Sequence, residues 1–162
     1  MKTLDYLHLN EKEVNNVVNG LQQLLADYQV YYTNLRGFHW NIKGHAFFQL
    51  HAKFEELYNN TAEKVDEIAE RILMLGGVPA NKFSDYLKTS TIKEVSDVAC
   101  GDEAMQNILA TLSTLIEKER KLLSLASEAG DEGTVALMSD YLSEQEKAVW
   151  MLVAFLSKDC HK

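Results

Sequence analysis

The strongest constraint on the fold of this chain is a helical period in its apolar residues, repeated over four long segments. Apolar side chains recur three or four residues apart, which places them on one face of an α-helix. The segments run from about Glu11 to Phe38, from roughly Phe47 to Leu75, from near Asp102 to Gly130, and from the N-cap residue Asp131 to about Leu156. A single proline and eight glycines leave them almost uninterrupted, which favours helices over a turn-rich β fold. The sequence therefore predicts an all-α protein.

The connections between these helices differ in length. The second helix ends at Gly76-Gly77, with Pro79 just beyond, and a connection from residue 78 to about 101 follows. Within it, Thr91-Ile-Lys-Glu94 has the form of a capping box, so we expect a short helix to begin at Thr91. The other turns are short, and four helices with one long crossover are typical of the ferritin-like fold. We predict one ferritin-like four-helix bundle over residues 1–162, with a short extra helix between helices two and three.

The charge and composition of the chain restrict its partners and its compartment. Sixteen basic residues against 24 acidic ones leave a net charge of −8, which disfavours nucleic acid as a tight partner and favours cations. No stretch approaches the roughly 20 apolar residues of a membrane helix, and the N-terminus has no apolar signal region. Cys100 and Cys160 are too few for a disulfide framework and match no zinc motif. We expect a cytoplasmic protein without a membrane segment.

Four potential metal ligands line one edge of the apolar face of the second helix. At about 100° per residue, His51, Glu55, Asp66 and Glu70 fall between roughly 60° and 160° from Phe54, which lies at the centre of that face. One interpretation is that these acids only form the solvated side of an amphipathic helix, as exposed acids usually do. His51 and Glu55 are four residues apart, and so are Asp66 and Glu70. The two side chains of each pair can therefore converge on one ion. Imidazole together with carboxylate is a ligand set suited to iron.

The two pairs are too far apart to bind the same ion within one chain. His51 and Asp66 are fifteen residues apart, or about 22 Å along a helix. Either these are two half-sites, or another subunit completes the site. Two such helices packed antiparallel about a two-fold axis would bring His51 and Glu55 of one chain to Asp66 and Glu70 of the other, twice per dimer. No histidine follows a glutamate by three residues, so the usual di-iron motif of a single bundle is missing.

About forty residues of the chain carry a more specific pattern. It consists of His39-Trp40-Asn41, Gly44, Phe47-Phe48-x-Leu50-His51-x-x-Phe54-Glu55-Glu56-Leu57-Tyr58, Asp66-x-x-Ala69-Glu70-Arg71 and Gly76-Gly77. This pattern resembles the signature of the Dps miniferritins, including the interval of twelve residues between His39 and His51. The four-helix layout extends the resemblance over essentially the whole chain.

The resemblance implies a ferroxidase and iron-storage cage of twelve identical subunits. Such a cage oxidises Fe(II), typically with hydrogen peroxide, and stores the Fe(III) mineral, which protects against oxidative stress. By motif position, His39, His51 and Glu55 of one chain and Asp66 and Glu70 of its two-fold mate would form a shared di-iron site. Many relatives carry aspartate at the position of Glu55. The residues do not determine whether peroxide or dioxygen is the preferred oxidant.

Two further expectations concern the route of iron and the binding of DNA. Glu128, Asp131 and Glu132 surround the turn between helices three and four, where the family forms its three-fold pores. Asp131 and Glu132 can instead complement the dipole of helix four. The family is also named for compaction of DNA, usually by a lysine-rich tail, so a nucleoid-associated protein is the alternative function. Because this N-terminus alternates lysine with acids, we expect weak or no DNA binding. A third interpretation is a purely structural helical bundle.

Overall fold

A computed structural model describes residues 2–157, and within that range the chain forms six helices and no strand. The helices are α1 (Thr3–Leu7), α2 (Glu11–Asn41), α3 (Phe47–Met74), α4 (Phe83–Thr89), α5 (Gly101–Glu128) and α6 (Glu132–Leu156). Cys160 lies outside the described residues. No helix in the described part of the chain is both long and apolar enough to cross a bilayer.

The four long helices, α2, α3, α5 and α6, pack into a bundle. α2 lies against both α3 and α5, and α5 lies against α6. Apolar side chains from all four helices fill the interior, and burial of this surface is the main stabilising contribution to the fold. Its fully buried members include Leu21, Leu24, Leu35, Phe54, Ile68, Ile72, Ile108, Leu115 and Met138. The prediction of an all-α bundle of four long helices is confirmed.

The helices end where the sequence contains the appropriate terminating residues. Gly76 has a φ of 82°, and the N–H of Gly77 donates to the carbonyl of Ile72 over 2.9 Å, which closes the last turn of α3. Gly130 has a φ of 65° after α5. The carboxylate of Asp131 then accepts the N–H of Thr134 over 3.0 Å, so Asp131 is the N-cap of α6, as predicted.

The short helix of the crossover is α4, which ends before Thr91, so the prediction that it begins at Thr91 was wrong. The side chain of Asp27, fully buried on α2, accepts hydrogen bonds from this segment, including the one from the backbone N–H that a capping box at Thr91 would use. Its Oδ1 accepts the N–H of Thr91 over 2.8 Å and the hydroxyl of Ser90 over 2.9 Å. Its Oδ2 accepts from the ammonium of Lys118. The backbone at Thr91 is therefore bonded to α2 and α5 instead of starting a helix.

The residues after Thr91 stay non-helical for a similar reason. The side-chain amide of Asn34 on α2 donates to the carbonyl of Lys93 over 2.9 Å and accepts the N–H of Val95 over 3.0 Å. Because the buried side chain of Asn34 bonds both of these backbone groups, they do not need the hydrogen bonds that a helix would provide. The crossover thus runs along α2 and reaches Gly101, where α5 begins.

Candidate metal centre

The turn between α2 and α3 brings His39 and His51 side by side. Gly44 has a φ of 107°, and its carbonyl accepts the N–H of Phe47, the first residue of α3, over 3.1 Å. Ile42 is buried in the core just before this turn. The chain consequently reverses within a few residues, and the last turn of α2 lies against the first turn of α3.

The two imidazole rings form a reciprocal pair. Nδ1 of His39 donates to the carbonyl of His51 over 2.8 Å, and Nδ1 of His51 donates to the carbonyl of His39 over 2.9 Å. The rings stack with their centroids 3.7 Å apart and an interplanar angle of 24°. Since a carbonyl can only accept a hydrogen bond, each Nδ1 carries a proton. In the neutral form of either ring, the lone pair that can bind a metal is therefore on Nε2.

Two aromatic side chains hold the imidazole pair from either side. The ring of Phe47 stacks on His51 at 5.1 Å, and the ring of Tyr58 meets His39 edge-on at 5.3 Å. Both histidines are half-buried. His45, in contrast, is an exposed residue of the turn. The packing restricts rotation of both rings, which keeps their ligand atoms in place without the metal.

The three acids of the predicted site lie exposed along α3. Within residues 2–157, Glu55, Asp66 and Glu70 make no ion pair and no side-chain hydrogen bond. The three cations of α3 pair with other acids: Lys53 with Glu56, Lys64 with Glu144, and Arg71 with Asp131. The acidic edge of α3 therefore carries a negative charge that no basic side chain of the described chain neutralises.

One chain does not bring these ligands together. α3 is unbroken from Phe47 to Met74, so the separation of about 22 Å between His51 and Asp66 applies. In the described part of the chain, no three side chains of His, Cys, Asp or Glu are grouped closely enough to hold a metal ion. Within one chain, the end of α3 that carries His51 and Glu55 is therefore separate from the part that carries Asp66 and Glu70.

The three acids expected at the pore are in different environments. Glu128 and Glu132 are exposed, whereas Asp131 is only 1% exposed. Besides capping α6, Asp131 accepts from the guanidinium of Arg71, which also donates through Nε to the hydroxyl of Thr134 over 2.9 Å. Asp131 therefore stabilises the N-terminus of α6. This is the alternative to pore lining that the sequence left open for it.

Some contacts of the histidine pair were not predicted from the sequence. The spacing of Phe47 and His51, four residues apart on one helix, does indicate a contact between their side chains. The contact of Tyr58 with His39 joins two helices, and the bonds from Nδ1 end on backbone carbonyls. No pattern of residue types identifies either of these.

Comparison with known proteins agrees with this fold. Residues 18–160 match the model of the ferritin-like domain. The chain is 52% identical over 157 residues to a DNA protection during starvation protein of Porphyromonas gingivalis, covering 97% of this chain and 99% of that protein. It is 39% identical over 142 residues to DNA protection during starvation protein 2 of Bacillus anthracis, covering 88% and 97% of the two chains.

Solved structures lead to the same family. The Dps protein of Vibrio cholerae O1, described as a member of a broad superfamily of ferritin-like diiron-carboxylate proteins, superposes with a TM-score of 0.91 at 52% identity, over 92% of this chain and 94% of that one. The Dps protein of Bacillus brevis superposes with a TM-score of 0.87 at 34% identity, over 90% and 98%. From its sequence and its fold, this chain belongs to the Dps family of ferritin-like proteins.

Proposed function

We propose that this protein is a ferroxidase and iron-storage cage, which oxidises Fe(II) with hydrogen peroxide and sequesters the Fe(III) mineral, thereby protecting against oxidative stress. The observation that carries the proposal is the reciprocal bonding of His39 and His51, which leaves both Nε2 atoms available. Membership of the ferritin-like family supports it. The small number of cysteines supports a cytoplasmic location.

In the proposed site, each residue has a role set by its chemistry. His39, His51 and Glu55 of one subunit and Asp66 and Glu70 of its two-fold mate bind two Fe(II) ions as substrate. In a neutral imidazole whose Nδ1 donates to a carbonyl, the lone pair is on Nε2, so each ring binds iron through Nε2 without a change of tautomer. The three carboxylates favour the more highly charged Fe(III), since harder ions prefer oxygen ligands. Two Fe(II) ions supply the two electrons that, with two protons, reduce hydrogen peroxide to two molecules of water.

Exposed apolar side chains support assembly of the subunits. Phe48, Val78, Phe83 and Trp150 are each more than 65% exposed in the single chain, and such residues are characteristic of protein interfaces. We propose a homododecamer in which two-fold contacts complete the metal sites. Glu128 and Glu132 line its three-fold pores in this proposal, and Asp131 holds the turn that carries them.

A complementation experiment tests whether two subunits share the site. Chains with His39→Ala and His51→Ala are co-expressed with chains carrying Asp66→Asn and Glu70→Gln, and Fe(II) oxidation is followed in the purified mixed cages. Each variant alone is expected to be inactive. Random pairing makes half of the dimers mixed, and one of the two sites in a mixed dimer is intact, so about a quarter of the wild-type activity returns.

A matched control uses two variants with substitutions on the same side of the site. When Asp66→Asn chains are mixed with Glu70→Gln chains, every pairing leaves each site with one altered acid, and no activity is regained. If the first mixture remains as inactive as its components in intact cages, the site is not shared between subunits.

Binding of DNA is the second candidate function, because several relatives are named for the protection of DNA. The net charge of −8 opposes it, since affinity for DNA comes largely from neutralising phosphates with lysine and arginine. We expect no shift of duplex DNA by the purified cage at about 0.1 M salt, where the Debye length is about 10 Å. A retained complex well above that salt concentration would favour a nucleoid-associated role.

A further inference from the structure

A series of aromatic contacts leads away from the histidine pair. The ring of Tyr58 on α3 meets the ring of His39 edge-on, with the centroids 5.3 Å apart and an interplanar angle of 84°. The same Tyr58 ring meets that of Tyr32 on α2, again edge-on, with the centroids 6.1 Å apart. Tyr58 is half-buried and lies three residues after Glu55 on the same helix. The ring of Tyr58 therefore packs directly against one proposed iron ligand and is a neighbour of a second.

The guanidinium of Arg36 covers two aromatic rings of α2, whereas the ring of Tyr58 has no such cation. Cζ of Arg36 lies 5.5 Å from the ring centroid of Tyr32 and 4.6 Å from that of Trp40, both within the range of a cation–π interaction. Among residues 2–157, no lysine or arginine lies over the ring of Tyr58. A cation beside a ring opposes the removal of an electron, because the positive charge that is left is repelled. The charge of Arg36 thus disfavours oxidation of Tyr32 and Trp40 relative to Tyr58.

A site that holds only one Fe(II) ion has an electron too few for its oxidant. Hydrogen peroxide needs two electrons to become water, and two Fe(II) ions in a filled site supply both. A single Fe(II) supplies one, which cleaves the O–O bond into hydroxide and a hydroxyl radical. An aromatic side chain that gives the second electron at the site prevents release of this radical. Tyr58, in contact with the ligand His39, is in the position to do so.

We propose that Tyr58 is the electron donor of a half-filled site, an inference that rests on the proposed ferroxidase function. One Fe(II) and Tyr58 each give one electron to hydrogen peroxide, and the O–O bond breaks. The hydroxyl proton of Tyr58 and one proton from solvent complete two molecules of water, which leaves Fe(III) and a neutral tyrosyl radical. A second Fe(II) then gives its electron to the radical, which regains a proton from solvent. The sum is again two Fe(II) oxidised and two protons consumed per peroxide.

Freeze-quench electron paramagnetic resonance of the assembled protein tests this assignment. Anaerobic protein receives less than one Fe(II) per site and then peroxide, and we expect a tyrosyl radical that further Fe(II) removes. Tyr58→Phe keeps an aromatic ring beside His39 but has no phenol, so we expect the signal to be lost and a spin trap to collect hydroxyl radical instead. Tyr6→Phe is the matched control and is expected to keep the signal. Tyr6 is exposed on α1, which lies near Gly76 at the opposite end of α3 from the histidine pair.

The location of the radical gives a second test, which holds even if Tyr58→Phe does not assemble. In the wild-type protein, ring deuteration of tyrosine is expected to narrow the signal, and mass spectrometry after the reaction is expected to find oxidised Tyr58. Trp40→Phe is expected to leave the signal unchanged, whereas Arg36→Gln is expected to add a tryptophanyl component. A signal that Tyr58→Phe retains, or one that Trp40 carries in the wild type, would overturn the assignment to Tyr58 alone. A wild-type assembly that oxidises Fe(II) no faster than buffer would overturn the ferroxidase proposal and this inference with it.

Discussion

Replacing His39 and His51 together by alanine is expected to slow Fe(II) oxidation by at least about 100-fold, because removing ligands costs at least as much as removing the outer groups that orient them. The variant loses both imidazole Nε2 atoms of each proposed site and keeps every carboxylate. It also loses the two bonds from Nδ1 that join the ends of α2 and α3. Stopped-flow absorbance of the ferric product, after mixing Fe(II)-loaded protein with peroxide, measures the effect.

His45→Ala is the matched control for this experiment. His45 is exposed in the same turn, and its side chain makes no hydrogen bond within residues 2–157, so we expect wild-type oxidation. Light scattering of each variant verifies that the assembly is intact. Wild-type oxidation rates in an intact His39→Ala, His51→Ala assembly would exclude the histidine pair as the site and favour the purely structural interpretation of the acidic edge.

The substitution Asp27→Ala is expected to lower the free energy of unfolding by about 3–5 kcal/mol, the usual range when one partner of a buried ion pair is removed. Its carboxylate is fully buried and accepts from the ammonium of Lys118, the N–H of Thr91 and the hydroxyl of Ser90. The variant leaves the N–H of Thr91 without an acceptor and removes the carboxylate from Lys118 and Ser90, which keep only their bonds to the Thr91 hydroxyl and the Ile92 carbonyl. Guanidinium unfolding at a fixed protein concentration measures the loss, because oligomer stability depends on concentration.

The location of this destabilisation is as informative as its size. Amide exchange in residues 83–98, which include α4 and the extended segment after it, is expected to accelerate more than exchange in α3. Glu117→Gln breaks an ion pair with Lys121 on the surface of α5, and we expect no measurable loss of stability from it, since exposed pairs contribute little. If the crossover exchanges no faster in Asp27→Ala than in wild type, then Asp27 does not hold it in place.

The positions of the long helices could be predicted because their signals are local. Apolar periodicity and the residues at the helix ends act over a few turns, so the sequence placed α3 and the N-cap Asp131 correctly. The short helix was misplaced because the atoms that prevent a helix at Thr91 belong to Asp27 and Lys118, which are remote in the chain. A capping box describes only local bonds, and here long-range partners compete for the same groups.

The same difference between local and long-range signals applies to the candidate site. The sequence by itself determined the helical bundle, the spacing of His51, Glu55, Asp66 and Glu70 on one helix, and the distance that separates their two pairs, because all of these follow from the regular geometry of a helix. Only the tertiary structure decided which nitrogen of each histidine is free. That choice depends on each ring nitrogen Nδ1 reaching the backbone carbonyl of the other histidine across the turn between α2 and α3. Every residue has a backbone carbonyl, so the residue types do not indicate this contact.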